Sequence, residues 1–156
     1  MKRNWVVVIN RSKMKIFWEQ DHRLTHVKTI DNDRLNYSNK ELSRHNPGTI
    51  SEGGHRGTAK HVMSATSPRE LAVEDFAREM AEFLDSARKR NLVSQMVVIA
   101  EPRLMGLIRK HFSPPDLAMA TRWIAKDLSS AATPELEDAL RRDAAFTSGE
   151  RPQSFA

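Results

Sequence analysis

Residues 51–61, SEGGHRGTAKH, bring together the groups of this sequence that could do chemistry. Gly53 and Gly54 have no Cβ, so their backbone N–H groups can approach a phosphate or an oxyanion closely. Such donors stabilise the negative charge that develops on a carbonyl oxygen under attack. A histidine side chain titrates near neutral pH, so His55 could position a water molecule or transfer a proton. The pattern predicts Gly53, Gly54 and His55 as catalytic residues.

Positive charge is concentrated in the N-terminal part of the sequence. Residues 1–66 contain 12 Lys and Arg against 6 Asp and Glu, whereas residues 67–156 contain 13 against 14. A local positive field attracts polyanions, and each neutralised phosphate releases counterions. We therefore expect a nucleic acid as the partner, with contacts from four residues near the glycines: Arg44, Arg56, Lys60 and His61. A solvated basic face without a ligand is the alternative.

Three histidines of the same region, His45, His55 and His61, are of the type that completes a catalytic zinc site. Nine and five residues separate them, which matches no pair of ligands on one helix. A metal-dependent hydrolase therefore stays open as an alternative, but the predicted site contains no metal and no cofactor. The sequence has no cysteine, which excludes a thiol nucleophile and cysteine-bound metal.

The elements that must position these residues alternate in a pattern typical of an α/β domain. Three short strands with brief connections favour an antiparallel meander, and a long polar loop over about residues 32–66 follows them. Ser67-Pro68-Arg69-Glu70 is a capping box that starts a helix, after which strand, helix, strand and helix alternate. The predicted strands cover about residues 5–10, 14–19, 25–30, 95–100 and 119–125, and the later helices begin near Pro102 and Thr133.

This order predicts a single three-layer α/β domain over residues 1–146, with a mixed five-stranded sheet and a flexible tail over residues 147–156. Among known architectures it fits the ribonuclease H-like arrangement. A nuclease of that type holds two metal ions with carboxylates, one of them in the first strand. Here the first strand ends in Asn10 without an acid, and Glu101 is the one carboxylate placed for such a site. The sequence therefore argues against a nuclease.

Apolar runs are short throughout the sequence. None approaches the roughly 18 to 20 residues that span a bilayer, so no contact with a membrane is expected. The apolar stretch that begins at Trp5 stops after five residues, below the roughly 7 to 15 of a secretory signal core. We therefore expect a cytoplasmic protein.

Five segments in order resemble the host attachment protein family, described as "protein required for attachment to host cells", within a wider group of release-factor-like domains. They are WVVVINRSKMKIFWE, GGHRGTAKH, FAREMAEFLDSARKRN, VVIAEPRLMGLIRKHF and WIAKDLSSAATPELEDAL, and together they cover about residues 4–140. The resemblance implies a fold similar to the middle domain of class-I release factors, whose Gly-Gly-Gln loop promotes hydrolysis of the peptidyl-tRNA ester. Gly53 and Gly54 match the two glycines, and His55 stands at the glutamine position. Asn10 and Glu101 stand where the family often has an acid and a proline.

Three functions remain as alternatives. The first is a ribosome- or RNA-associated domain whose glycine loop approaches tRNA or ribosomal RNA and hydrolyses a peptidyl-tRNA ester in termination or rescue. The second is a non-enzymatic interaction protein that serves attachment to host cells through a protein partner. The third is the metal-dependent hydrolase that uses the loop histidines.

Overall fold

Five strands form one mixed sheet in the computed structural model, which describes residues 3–36 and 67–155, with side chains as far as Ala144 in the last helix. The strands are β1 (Asn4–Ile9), β2 (Lys13–Gln20), β3 (Arg23–Asp31), β4 (Gln95–Ala100) and β5 (Ala120–Ala125). Their spatial order is β3-β2-β1-β4-β5. Strands β1, β2 and β3 pair antiparallel, whereas β1, β4 and β5 pair parallel. The mixed five-stranded sheet predicted from the sequence is confirmed.

Strand β1 lies at the centre of the sheet because it is apolar on both faces. Trp5, Val7 and Ile9 belong to one cluster of buried side chains, and Val6 and Val8 belong to a second cluster. Successive side chains of a strand point to opposite faces, so an unbroken apolar run needs cover on both sides.

Helices supply that cover. The helices are α1 (Pro68–Lys89), α2 (Pro102–His111), α3 (Pro114–Met119) and α4 (Thr133–Phe155). The first three pack against the face of Val7, and α4 packs against the opposite face through Leu136. The predicted three-layer arrangement is therefore confirmed. Within the described residues, no helix is long and apolar enough to cross a membrane.

An extra residue in β3 changes which helix layer the strand faces. Val27 lies between the residues that pair with β2, and it is exposed. Before it, His26 packs its ring edge-on against Phe17, with 5.6 Å between ring centroids. After it, the Lys28 ammonium lies 5.6 Å from the ring centroid of Phe83 on α1. The sequence predicts that residues 26, 28 and 30 lie on one face of this strand and residues 25, 27 and 29 on the other. This prediction is wrong at Val27, because a bulge of one residue shifts the period of two.

Sequence and structure also differ after α2. The sequence predicts that Ser113-Pro114-Pro115 ends the helix and leads to a strand, but Ser113 instead begins α3. Its hydroxyl accepts the Asp116 N–H at 3.4 Å, and the Asp116 carboxylate accepts the Ser113 N–H at 3.2 Å. Proline is suited to this first turn because the N–H groups there need no acceptor within the helix.

Helix α4 continues to Phe155, over residues for which the sequence predicts a tail from position 147. The residues that the sequence assigns to a tail therefore have helical backbone as far as Phe155. The domain boundary at residue 146 and the mobility of residues 147–156 remain predictions.

A buried ion pair joins α1 to α3. The Arg88 guanidinium donates to the Asp116 carboxylate at 2.7 Å, and the Asp116 side chain is only 2% exposed. This hydrogen bond is the main reason that the pKa of Arg88 is raised. Asp116 thus both caps α3 and anchors it to α1.

We predict that Asp116→Ala lowers the free energy of unfolding by about 2 to 3 kcal/mol, because the Arg88 guanidinium loses its buried partner and the Ser113 N–H loses its acceptor. Urea unfolding followed by circular dichroism measures this value. Asp138→Ala is the matched control, since Asp138 pairs with Arg141 on an exposed face of α4, and it should cost less than about 0.5 kcal/mol. Equal losses in the two variants would contradict an anchoring role for Asp116.

Candidate functional site

The residues predicted to carry chemistry all lie outside the described residues, within residues 37–66. They are Gly53, Gly54, His55, Arg44, Arg56, Lys60 and His61, together with His45 of the alternative zinc site. The structure does describe the chain on either side of this segment, residues 32–36 after β3 and Ser67 before α1. We call these residues the base of the segment. That base has a defined geometry.

The departing end is held by Asn32, a buried polar residue directly after β3. Its backbone N–H donates to the Ser12 carbonyl at 2.7 Å. Its side-chain amide donates to the carbonyls of Arg11, at 3.0 Å, and Ala72, at 3.3 Å. One asparagine thus ties the end of β3 to the β1–β2 hairpin and to the first turns of α1.

A second tie follows in the 3-10 turn Asp33–Asn36. The guanidinium of Arg34 forms a close, two-pronged pair with the carboxylate of Glu79 on α1. The hydrogen bond from Arg34 lowers the pKa of Glu79, and the same bond raises the pKa of Arg34. The pair attaches the last described turn before residue 37 to the middle of α1.

The returning end is fixed by the start of α1. The Ser67 hydroxyl accepts the Glu70 N–H at 3.2 Å, and Pro68 occupies the first position of the helix. The structure confirms the predicted N-cap at Ser67, but the Glu70 carboxylate does not complete the predicted capping box and instead lies 3.7 Å from Arg103. Both ends of the segment over residues 37–66 are therefore attached to one helix.

A cleft of about 220 Å³ opens beside this base, at the carboxyl ends of β1 and β4. Its polar lining consists of Arg11, Ser67, Arg69, Glu70, Glu101 and Arg103. The crevice beyond the carboxyl ends of parallel strands is where ligands of open α/β sheets generally bind. The cleft is thus placed where a ligand of this fold is expected.

Three arginines give the cleft its electrostatic character. Arg11 lies 3.5 Å from Glu101, and Arg103 lies 3.7 Å from Glu70, so both pairs are long and solvent-accessible. Exposed pairs of this kind contribute little free energy and are readily exchanged for another anion. Arg69 forms no ion pair with any residue in the described ranges. The lining therefore has one positive charge in excess.

Two of these arginines occupy positions that helices disfavour for cations. Arg69 and Arg103 directly follow the prolines that begin α1 and α2. The amino end of a helix already carries partial positive charge, so cations there reinforce a positive potential. Glu101 makes no side-chain cap for α2. Both helix ends and their arginines thus favour an anion in the cleft.

The two residues weighed for metal chemistry have other roles in this structure. The side-chain oxygen of Asn10 accepts the backbone N–H groups of Ser12 and Lys13, both at 2.8 Å, and its side-chain amide donates to the Ser129 hydroxyl. Asn10 thus shapes the hairpin, while Glu101 faces Arg11. No group of three His, Asp or Glu in the described part of the chain is arranged to hold a metal ion.

Sequence reasoning missed the arginines of the cleft. A signal was present for two of them, since Arg69 and Arg103 stand in the first turns of helices whose starts the sequence predicts. Their meeting with Arg11 requires the parallel pairing of β1 with β4, which a linear pattern does not reveal.

We predict that Glu79→Gln destabilises the protein at neutral pH by at most about 1 kcal/mol, because the pair with Arg34 is partly exposed. Because the pKa of Glu79 is lowered, the ion pair stabilises the fold fully at a pH above the usual pKa of 4.5. This stabilisation is lost as the pH falls through the lowered pKa. The Tm difference between wild type and variant should therefore vanish in acid. Glu82→Gln, next to Arg78 on the same helix, is the control and should differ little from wild type. A Tm gap that persists in strong acid would contradict the ion pair.

Three comparisons with known proteins identify a family and a similar solved structure. Residues 5–140 match the model of a family described as "Protein required for attachment to host cells". Among solved structures, the chain is similar to the archaeal translation termination factor aRF1, with 11% identity, a TM-score of 0.41, and coverage of 96% of this chain and 40% of that one. The chain therefore spans less than half the length of that factor. No curated protein matches significantly. Because the family model covers most of its length, as the sequence motifs predict, the chain belongs to the family of proteins required for attachment to host cells.

Proposed function

We propose that this protein is a cytoplasmic, RNA-associated domain that binds the phosphates of tRNA or ribosomal RNA with its loop over residues 37–66 and the cleft at the base of that loop. The observation that carries the proposal is the group of three arginines, Arg11, Arg69 and Arg103, around one cleft beside both ends of the loop. Two of them reinforce the positive ends of α1 and α2.

Phosphate fits this cleft better than a neutral ligand does. A guanidinium presents paired N–H donors that match two phosphate oxygens, and helix amino ends bind phosphate with their free N–H groups. The carboxylates of Glu70 and Glu101 hold the arginines at distances beyond 3.4 Å, so a phosphate can replace them as the closer partner. RNA, which repeats phosphates along its backbone, would also engage the cations of the loop: Arg44, Arg56, Lys60 and His61.

The loop extends the proposal to a reaction. Water attacks the carbonyl carbon of a peptidyl-tRNA ester, and the oxyanion that forms accepts hydrogen bonds from the N–H groups of Gly53 and Gly54. His55 takes the proton from water and gives it to the departing ester oxygen of the tRNA, which leaves as a hydroxyl. The ester bond breaks, which releases peptide acid and free tRNA. The residue types of the loop support this step.

We predict that Arg69→Gln and Arg103→Gln each weaken the binding of fluorescein-labelled tRNA. Each should also reduce the slope of log K against log salt by about 0.7, the value for one phosphate contact on single-stranded nucleic acid. Fluorescence anisotropy over a salt series measures both quantities. Arg78→Gln, on α1 but paired with Asp75 outside the cleft, is the matched control. Binding by wild type that is indifferent to salt, or slopes that are unchanged in both cleft variants, would contradict the proposal.

A separate prediction concerns hydrolysis of peptidyl-tRNA on stalled ribosomes. His55→Ala should release peptide about 100-fold more slowly than wild type, because it removes the group that transfers the proton. Gly54→Ala should also be slower, since its Cβ obstructs the approach of the ester to the backbone. Gel analysis of released peptide measures the rates. Equal rates in all three proteins would remove the catalytic role of the loop and leave RNA binding as the function.

The description of the family favours a second candidate, a role in attachment to host cells through a protein partner. Direct adhesion requires the protein at the cell surface. Fractionation of cells that produce the full chain, with immunoblotting of each fraction, separates the two candidates. Protein confined to the cytoplasmic fraction would exclude direct adhesion and leave an indirect role.

A further inference from the structure

A second cavity, of about 190 Å³, lies at the other end of the sheet, between the amino ends of β1 and β4 and helix α4. Its floor is apolar and includes Val6, Val97 and Leu140, which belong to the face of the sheet covered by α4. Its rim carries the carboxylates of Glu19 and Glu137 and the guanidinium groups of Arg122 and Arg141. This cavity shares no lining residue with the cleft at the loop base, and the proposed contact with RNA does not use it.

Two buried polar atoms beside this cavity have no hydrogen-bond partner in the described part of the chain. They are the side-chain carbonyl oxygen of Asn4 and the Nε–H group of Arg122. Burial of a polar group without a partner is unfavourable, and folded proteins rarely leave one. The other polar atoms of each side chain have partners, because Asn4 donates to Glu19 at 3.3 Å and Arg122 pairs with Asp143 at 2.7 Å. Two residues that line the cavity thus carry one unpartnered acceptor and one unpartnered donor.

A strained residue stands at the rim of the same cavity. His22 has φ 64° and Asp21 has φ 53° in the two-residue turn between β2 and β3. Turns of this type need positive φ at both positions and favour glycine at the second. A histidine there costs conformational free energy that glycine would avoid. Since His22 lines the cavity, contact of its imidazole with a ligand there explains why histidine and not glycine occupies this position.

Size and charge restrict what the cavity can hold. A cavity of about 150 Å³ accommodates benzene, so this one suits a molecule of roughly ten non-hydrogen atoms. Two carboxylates and two guanidinium groups balance, which favours a ligand without net charge. The unpartnered oxygen of Asn4 needs a donor, and the unpartnered Nε–H of Arg122 needs an acceptor.

We propose that this cavity binds a free α-amino acid with an apolar side chain. Its ammonium group donates to the Asn4 oxygen and lies near Glu19, and its carboxylate accepts from Nε of Arg122. Its side chain contacts the apolar floor beside Val6 and Val97. A small rotation of Asn4 or Arg122 toward the cavity brings the unpartnered atom into contact with the ligand. The site is independent of the proposed contact with RNA.

The test uses the full chain and isothermal titration calorimetry with L-leucine, L-methionine and L-phenylalanine. We expect at least one of them to bind with a Kd in the millimolar range or tighter. Isoamylamine and isocaproate, which lack the carboxylate and the ammonium of leucine respectively, should bind at least about tenfold more weakly. Cytosine tests a neutral heterocycle instead. Absence of binding by all three amino acids at about 10 mM, or binding of cytosine alone, would overturn the proposal.

Variants of the lining residues test whether the amino acid binds in this cavity. Arg122→Lys keeps the positive charge but removes Nε–H, and Asn4→Leu removes the acceptor, so each should weaken binding about tenfold. His22→Gly should raise the Tm by relieving strain and yet weaken binding, a combination that a purely structural histidine would not give. Arg103→Lys, in the other cleft, is the control. Affinities unchanged in Arg122→Lys and His22→Gly would exclude this cavity as the site, even if Asn4→Leu failed to fold.

Discussion

The burial of strand β1 on both faces is the constraint on which the rest of the structure depends. Its valines and flanking apolar residues require a helix layer on each side of the sheet. Its antiparallel partner β2 and its parallel partner β4 divide the sheet into two halves. Because β1 and β4 run in the same direction, Arg11 after one strand meets Glu101 after the other. The cleft at the loop base follows from that single pairing.

Helix α1, which covers one face of β1, also holds the described chain on either side of residues 37–66. It crosses the face of Val7 with its apolar side, and its outer residues hold both ends of residues 37–66. Asn32 and Arg34 bind the departing chain to the helix, and Ser67 begins the helix from the returning chain. The described chain on either side of residues 37–66 is therefore fixed beside the cleft. The proposed joint contact of RNA with the cations of residues 37–66 and the cleft arginines depends on this arrangement.

Much of the fold could be predicted from the sequence because local signals were unambiguous. The run Trp5–Ile9 identifies a buried strand, and the Ser67-Pro68 pair identifies the N-cap and first position of α1. The signal at Pro114 was ambiguous, since proline both ends one helix and begins the next. The bulge at Val27 could not be predicted, because the sequence of β3 fits an alternating strand equally well with and without an extra residue.

The sites were less predictable than the fold, for two physical reasons. The chemistry suggested by Gly53 and Gly54 depends on the placement of a long segment with few apolar residues, which periodicity does not determine. The arginines of the cleft and the unpartnered Asn4 acquire significance only through contacts between residues far apart in the chain. The cleft and the cavity also lie at opposite ends of the sheet, the first with one positive charge in excess and the second with balanced charges.

Ultraviolet cross-linking of the full chain to tRNA and to purified ribosomes, with mass spectrometry of the cross-linked peptides, most directly tests whether the loop and its base contact RNA. Cross-linked peptides should come from residues 37–72 and 101–107, and their yield should fall as salt concentration rises. Cross-links confined to β3 and α4, or none above the level of an unrelated basic protein, would show that the cleft and the loop do not bind RNA.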